Sequence, residues 1–130
     1  MKWYLKALVQ NGVALLPDKL AQPLYYQLQL RLGELRAPRF DMRYGAAVQM
    51  AKVFSEHHHG LAGRRVLEVG TGRFVDVPIA LWLMGVENTL TVDLNPLLRA
   101  DQVHRSITYL RQHWAHYRER FATYCDPREL

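Results

Sequence analysis

The chain has 130 residues, 49% of them hydrophobic and 22% charged, and its 17 Lys and Arg against 12 Asp and Glu give a net charge of +5. At roughly 100–200 residues per domain this is one domain of ordinary globular material, which excludes a disordered tail, a collagen or an acidic solvating segment. The single cysteine, Cys125, excludes an internal disulfide framework and suits a reducing, cytoplasmic setting. No apolar run reaches the ~18–20 residues that cross a bilayer, so no membrane partner is expected.

Residues 1–60 read as helices divided by punctuation. Trp3, Leu5, Leu8 and Val9 make one apolar side, and Asn11-Gly12 is expected to stop that helix. Pro17 and Pro23 bracket an expected turn around Asp18. Leu28, Leu30 and Leu32 alternate like a strand, whereas Leu24, Leu28 and Leu32 recur like a helix. Pro23 at a first helical position and Gly33 past the end favour the helix. A third helix begins near Asp41, with Tyr44, Ala47, Val48, Ala51 and Phe54 on one face, and Gly60 closes it after His57-His58-His59.

The pattern then changes. Arg65-Val66-Leu67-Glu68-Val69 is a short strand-like run ending in Gly70-Thr71-Gly72, and Pro78 to Met84 form an apolar helix stopped by Gly85. Thr89-Leu90-Thr91-Val92-Asp93 is a second strand. Strand, glycine turn, helix and strand within about thirty residues make a βαβ unit. Neither strand alternates cleanly with polar residues, which predicts a parallel sheet covered on both faces. Beyond Asn95-Pro96, the residues Ala100, Val103, Ile107, Leu110, Trp114, Tyr117 and Phe121 fall at alternating three- and four-residue spacing. They predict the seam of one long amphipathic helix that packs on the sheet or on a partner helix. The reading is therefore an α/β chain: an N-terminal helical segment over residues 1–60, then a partial Rossmann-like unit over 61–130. That unit holds an incomplete doubly wound sheet and the long helix.

The chemistry concentrates at the glycine turn and at Asp93. Ligands of open α/β sheets bind beyond the carboxyl ends of the strands. Gly70 and Gly72 let backbone approach a ligand closely, and the amides opening the next helix can receive an anionic group. Asp93 ends the second strand and follows Gly72 at close to the ~20-residue separation of a carboxylate that grips ribose hydroxyls. A dinucleotide fingerprint would require glycine where Val75 stands, and Asp76 would sit badly beside a pyrophosphate. No Gly-Lys-Ser or Gly-Lys-Thr occurs, so a P-loop is absent. Glu68, two residues before the first glycine, opposes phosphates and attracts a cation. A ligand with an ammonium, a sulfonium, a carboxylate and a ribose suits Glu68, the turn amides and Asp93 together.

These residues carry a resemblance. Val66-Leu67-Glu68-Val69-Gly70-Thr71-Gly72 resembles motif I of the class I S-adenosylmethionine-dependent methyltransferases, and Thr91-Val92-Asp93-Leu94-Asn95 resembles the acidic end of their second strand. The resemblance implies that Gly70, Thr71 and Gly72 line the methionine part of S-adenosyl-L-methionine. Glu68 would reach its amino group, Asp93 its ribose hydroxyls, and Leu94 its adenine. Where many members carry a further glycine this chain has Phe74, so Arg73 and Phe74 make the turn bulkier. The family fold is a seven-stranded sheet with helices on both faces, of which the sequence supplies two strands.

That shortfall predicts the N-terminal part of a methyltransferase: a truncated product, half of a split enzyme, or a fragment of a larger assembly. It would not be active alone, and neither its catalytic residues nor its methyl acceptor is identified by the sequence. A central strand with an unpaired edge also predicts self-association or a complementing chain there. Two alternatives stand beside this reading. One is a non-catalytic helical interaction module working through the Ala100–Phe121 seam and the basic surface, and the other is a nicotinamide-binding fragment. The arginines are scattered over several segments, which favours a solvated surface over a nucleic-acid site. His57-His58-His59 and the pair His113 and His116 lack accompanying ligands at metal-binding spacing, so no metal site is expected.

Overall fold

The computed structural model describes residues 3–33, 35–58 and 60–128, and the chain separates into two compact units, Met1–Arg39 and Phe40–Leu130. The third helix, read from the sequence with the N-terminal segment, belongs by its packing to the second unit. His59 lies outside the described residues, as do the side chains of Trp3 and Leu5.

The first unit holds two helices, α1 (Trp3–Ala14) and α2 (Asp18–Leu32). Helix α1 continues through Asn11-Gly12 rather than stopping there, since an Asn-Gly pair lowers helix propensity without preventing a further turn. Helix α2 starts directly after Pro17, so Asp18 is helical and the expected turn is absent. Pro23 lies inside α2 instead of opening it, where it cannot donate to the Lys19 carbonyl and its ring crowds that group. Gly33 does follow the helix, in extended backbone, and its N–H donates to the Gln29 carbonyl at 3.0 Å. The Tyr25 hydroxyl ties the unit together by accepting from Gln10 Nε2 at 3.0 Å and Gln29 Nε2 at 2.8 Å.

The second unit is built on α3 (Phe40–His58), β1 (Arg65–Val69), α4 (Asp76–Leu83), β2 (Asn88–Val92), α5 (Ala100–Gln112) and α6 (Trp114–Ala122). The expected face of α3 is buried at Tyr44, Ala47, Val48 and Ala51, with Phe40 added at its start. Every residue of α4 after Asp76 is apolar, as befits a helix enclosed on most sides. Its Leu81 and Leu83 join Met84, Val86, Leu110, Tyr117 and Phe121 in one core with α3. Gly85, at φ 96°, ends it where a side chain would be strained.

The two strands pair in parallel from Arg65 opposite Asn88 to Val69 opposite Val92, giving the βαβ unit read from the sequence. The expectation of cover on both faces is not met. Val66 packs against the core, while Leu67, Val69, Leu90 and Val92 are exposed. The half-buried face carries Val66, Glu68, Thr89 and Thr91 and the exposed face most of the apolar side chains, the reverse of the usual alternation, which is why the pattern is not legible in the sequence.

The single long helix expected from Ala100 to Phe121 is two helices broken at His113, whose backbone (φ −115°, ψ 21°) leaves the α region. The hydroxyls of Tyr109 (3.1 Å) and Tyr117 both donate to Asp41 Oδ1 at the head of α3. Eight residues of unbroken helix rise about 12 Å, so the break shortens the reach between two donors that share one oxygen. The buried face of α5 is also displaced from the apolar seam: Gln102, Ser106 and Leu110 are buried and Ala100 is exposed. Leu110→Ala should cost about 2–5 kcal/mol as a cavity in the core, while Met50→Ala, at an exposed position of α3, should fall within about 0.5 kcal/mol of wild type. Urea denaturation of the two variants tests the assignment of the core.

Candidate functional site

Parallel pairing brings the carboxyl ends of β1 and β2 to the same side of the sheet, and the ladder runs one bond further as Gly70 N–H donates to the Val92 carbonyl at 2.8 Å. The chain then turns sharply. Gly70 and Gly72 adopt φ of 82° and 67°, the left-handed region that L side chains resist. The Gly72 amide donates to Asp93 Oδ2 at 2.8 Å, and the Asn95 amide donates to Asp93 Oδ1 at 2.9 Å. The Thr71 hydroxyl donates to Glu68 Oε2 at 2.8 Å. Glu68, Gly70, Thr71, Gly72 and Asp93 are thus assembled at one end of the sheet, each carboxylate holding one part of the turn.

The two Asp93 amide bonds, that from Asn95 foremost, hold its carboxyl below the ordinary 3.8, because N–H donors favour the charged form. A carboxylate has about four lone-pair sites, so beyond the amides of Asn95, Gly72 and Leu94, Asp93 keeps acceptor capacity, and Glu68 Oε2 accepts the Thr71 hydroxyl. A Cβ at Gly70 would meet nothing within 4 Å, so the turn opens on free space. Leu94 is fully exposed, an apolar side chain beside Asp93 with nothing packed on it. Arg73 is half-buried within the turn.

On the other side of the turn Phe74 and Asp76 meet Arg43, which neither spacing nor motif marks. Phe74 does not fold over the glycines, because its ring lies under the Arg43 guanidinium of α3, 3.6 Å from carbon to centroid. Arg43 Nη1 also stands 3.6 Å from Asp76 Oδ2, and the Asp76 side chain is wholly buried. Asp76 is therefore withdrawn into the core, and its charge is set against α3 rather than toward the open end of the sheet. Burial pushes its carboxyl above 3.8, against the pull of the Ser106 hydroxyl, Arg43 and Tyr44. Only the placement of Asp76 at the start of a helix hinted at this in the sequence; its partners come from distant segments.

No family model matches the chain, and no curated protein or solved structure matches it. The assembled geometry at 68–76 and 93–95 thus stands on its own distances. Folding stability from Asp93 is fully present above the ordinary carboxylate range and is lost as pH falls through its lowered value. The Gly72 and Asn95 amide resonances should accordingly titrate together with a midpoint below 3.8, and Asp93→Ala should abolish that titration. Nuclear magnetic resonance of the labelled chain reads both.

Proposed function

We propose that the chain is the S-adenosylmethionine-binding portion of a methyltransferase. The bond from the Gly72 amide to Asp93 Oδ2 carries this reading, because it joins the glycine turn and the ribose-type carboxylate in one site with Glu68 beside them. The open space over Gly70 and the uncovered Leu94 side chain support it as well.

The chain's own residues bind and orient in this reading. Glu68 draws an ammonium group to the strand tip, and the turn at Gly70, Thr71, Gly72 and Arg73 leaves backbone accessible to the ligand's amino-acid end. Asp93 accepts from the two vicinal hydroxyls of a ribose through its remaining lone pairs, and Leu94 offers its apolar side chain to the base. When bound, S-adenosylmethionine supplies an electrophilic methyl group on sulfur. Methyl transfer further requires an acceptor held in line with that methyl. We assign that alignment to a second chain or second copy pairing at the sheet edges that no other described strand occupies. The acceptor itself is unassigned. A cytoplasmic setting suits the single thiol, and among the described residues no helix is long and apolar enough to cross a membrane.

Calorimetry of the full chain with S-adenosylmethionine and with its demethylated product tests the reading. Both should bind, and Asp93→Ala should weaken binding tenfold or more, which is about 1.4 kcal/mol. Unchanged affinity in that variant, or binding of NADH in place of both ligands, rejects it. RNA binding that salt abolishes, with no response to either nucleoside, would favour the basic interaction module instead.

A further inference from the structure

We propose that the bare face of the sheet binds a second copy of this chain, face to face with strands antiparallel, so that Arg65 of each copy reaches the strand tips of the other at Asp93. This contact involves neither the sheet edges nor a ligand. The alternation of exposed and half-buried residues puts Arg65, Leu67 and Val69 on one face of the sheet with Asn88, Leu90 and Val92. The register makes them three cross-strand pairs: Arg65 beside Asn88, Leu67 beside Leu90 and Val69 beside Val92. Leu67, Val69, Leu90 and Val92 are between 42% and 76% exposed, so folding of one copy leaves much of this apolar surface in water. Parallel sheets occur almost only with both faces covered, and a second sheet packed about 10 Å away supplies such cover.

The charges at the two ends of the strip select its occupant. Arg65 is exposed at the amino end of β1, and Asp93 is exposed directly beyond the carboxyl end of β2. Neither has an ion-pair partner among the described residues. A face that is apolar in the middle, cationic at one end and anionic at the other is complementary to its own reverse. A two-fold axis between the sheets and perpendicular to the strands sets Leu67 of one copy over Leu67 of the other. Arg65 then lies over Val69 of the other copy, one residue short of the level of Asp93, because Val69 and Val92 are in register. The arginine stem covers apolar surface while its head reaches past it to the carboxylate. The alternative two-fold axis, along the strands, would set the two Arg65 side chains at the same end, where like charges repel. The antiparallel contact is isologous and closes at two copies. Exposed ion pairs contribute little to affinity, so the apolar strip supplies the attraction and the charges fix the direction. Four apolar side chains are few beside the roughly 20–30 residues a side of a standard interface, and the net charge of +5 opposes contact, so the association is weak. Within the pair, Arg65 of one copy stands at a carboxylate of the other copy's candidate site.

Sedimentation velocity of the full chain at rising concentration tests the pair. Wild type should shift from monomer toward dimer. Leu67→Gln combined with Leu90→Gln, which leaves the net charge unchanged, should stay monomeric while melting near the wild-type temperature. Arg65→Glu lowers the net charge by two, so a non-specific contact would tighten. The proposed contact should instead weaken about tenfold, since like charges replace two exposed ion pairs. Asp93→Arg should weaken it similarly. An equimolar mixture of the Arg65→Glu and Asp93→Arg chains joins opposite charges again at both contacts, and its association should return to within about threefold of wild type. A spin label on Asn88→Cys in a Cys125→Ser chain, mixed with isotope-labelled wild type, reads the direction without altering Asp93. It should broaden the Val92 amide of the labelled copy, which lies opposite, more strongly than the Asn88 amide. The reverse order of broadening overturns the antiparallel pair. A wild-type chain that stays monomeric, an Arg65→Glu chain that associates more tightly, or a strip variant that associates like wild type overturns the proposal as well. None of these readings involves S-adenosylmethionine, so their failure and that of the methyltransferase reading are separate.

Discussion

Parallel pairing of β1 with β2 is the constraint from which the site follows, because strands that run in one direction end on one side and must be joined by a crossover. The five-residue ladder sets Val69 level with Val92, and the Gly70 amide donates to the Val92 carbonyl. From that level the turn has a short distance in which to reverse into α4. Two glycines at positive φ make the reversal, and Asp93, the first residue past β2, lies where the Gly72 amide points. A register slip of one residue would exchange the faces of the strand and remove the carboxylate from the turn.

A second layer of order comes from polar groups inside the second unit. Gln102 and Ser106 are buried on α5 beside Tyr44 and Asp76, in places where apolar side chains would have packed with less to satisfy. Asp41, at the head of α3, gathers the hydroxyls of Tyr109 and Tyr117 across the break at His113. The first cluster connects α3 to α5 and the second connects α3 to both α5 and α6, so the helices are aligned by directional bonds as well as by burial. Such networks favour one arrangement of helices over its near alternatives when their members are satisfied.

The sequence made the βαβ unit legible because its signals are local: β-branched runs, two glycines and an acidic strand end. The convergence of Glu68, the turn and Asp93 followed from topology, since the carboxyl ends of parallel neighbours coincide. The apolar face of α3 was equally plain from its periodicity. The broken helix was not, because the seam from Ala100 to Phe121 is periodic across His113 and the break answers to tyrosine hydroxyls converging on distant Asp41. The burial of Gln102 and Ser106 in place of the seam's start, and the meeting of Arg43 with Phe74 and Asp76, depend likewise on how separate segments pack. Pro23 was misjudged because its preference for a helix start is statistical, and α2 accepts it one turn further in.

The bare side of the sheet gives salt a single direction of action on this chain. Leu67, Val69, Leu90 and Val92 present a contiguous apolar strip, flanked by two strand edges that no other described strand occupies. Repulsion between molecules of net charge +5 opposes contact of such surfaces in dilute buffer. Raising ionic strength from 0.1 M to 1 M shortens the screening length from about 10 Å to about 3 Å, and strongly excluded anions such as sulfate strengthen apolar burial at the same time. Both changes favour association through the strip, so added salt acts on the contact between molecules in the same sense by two routes.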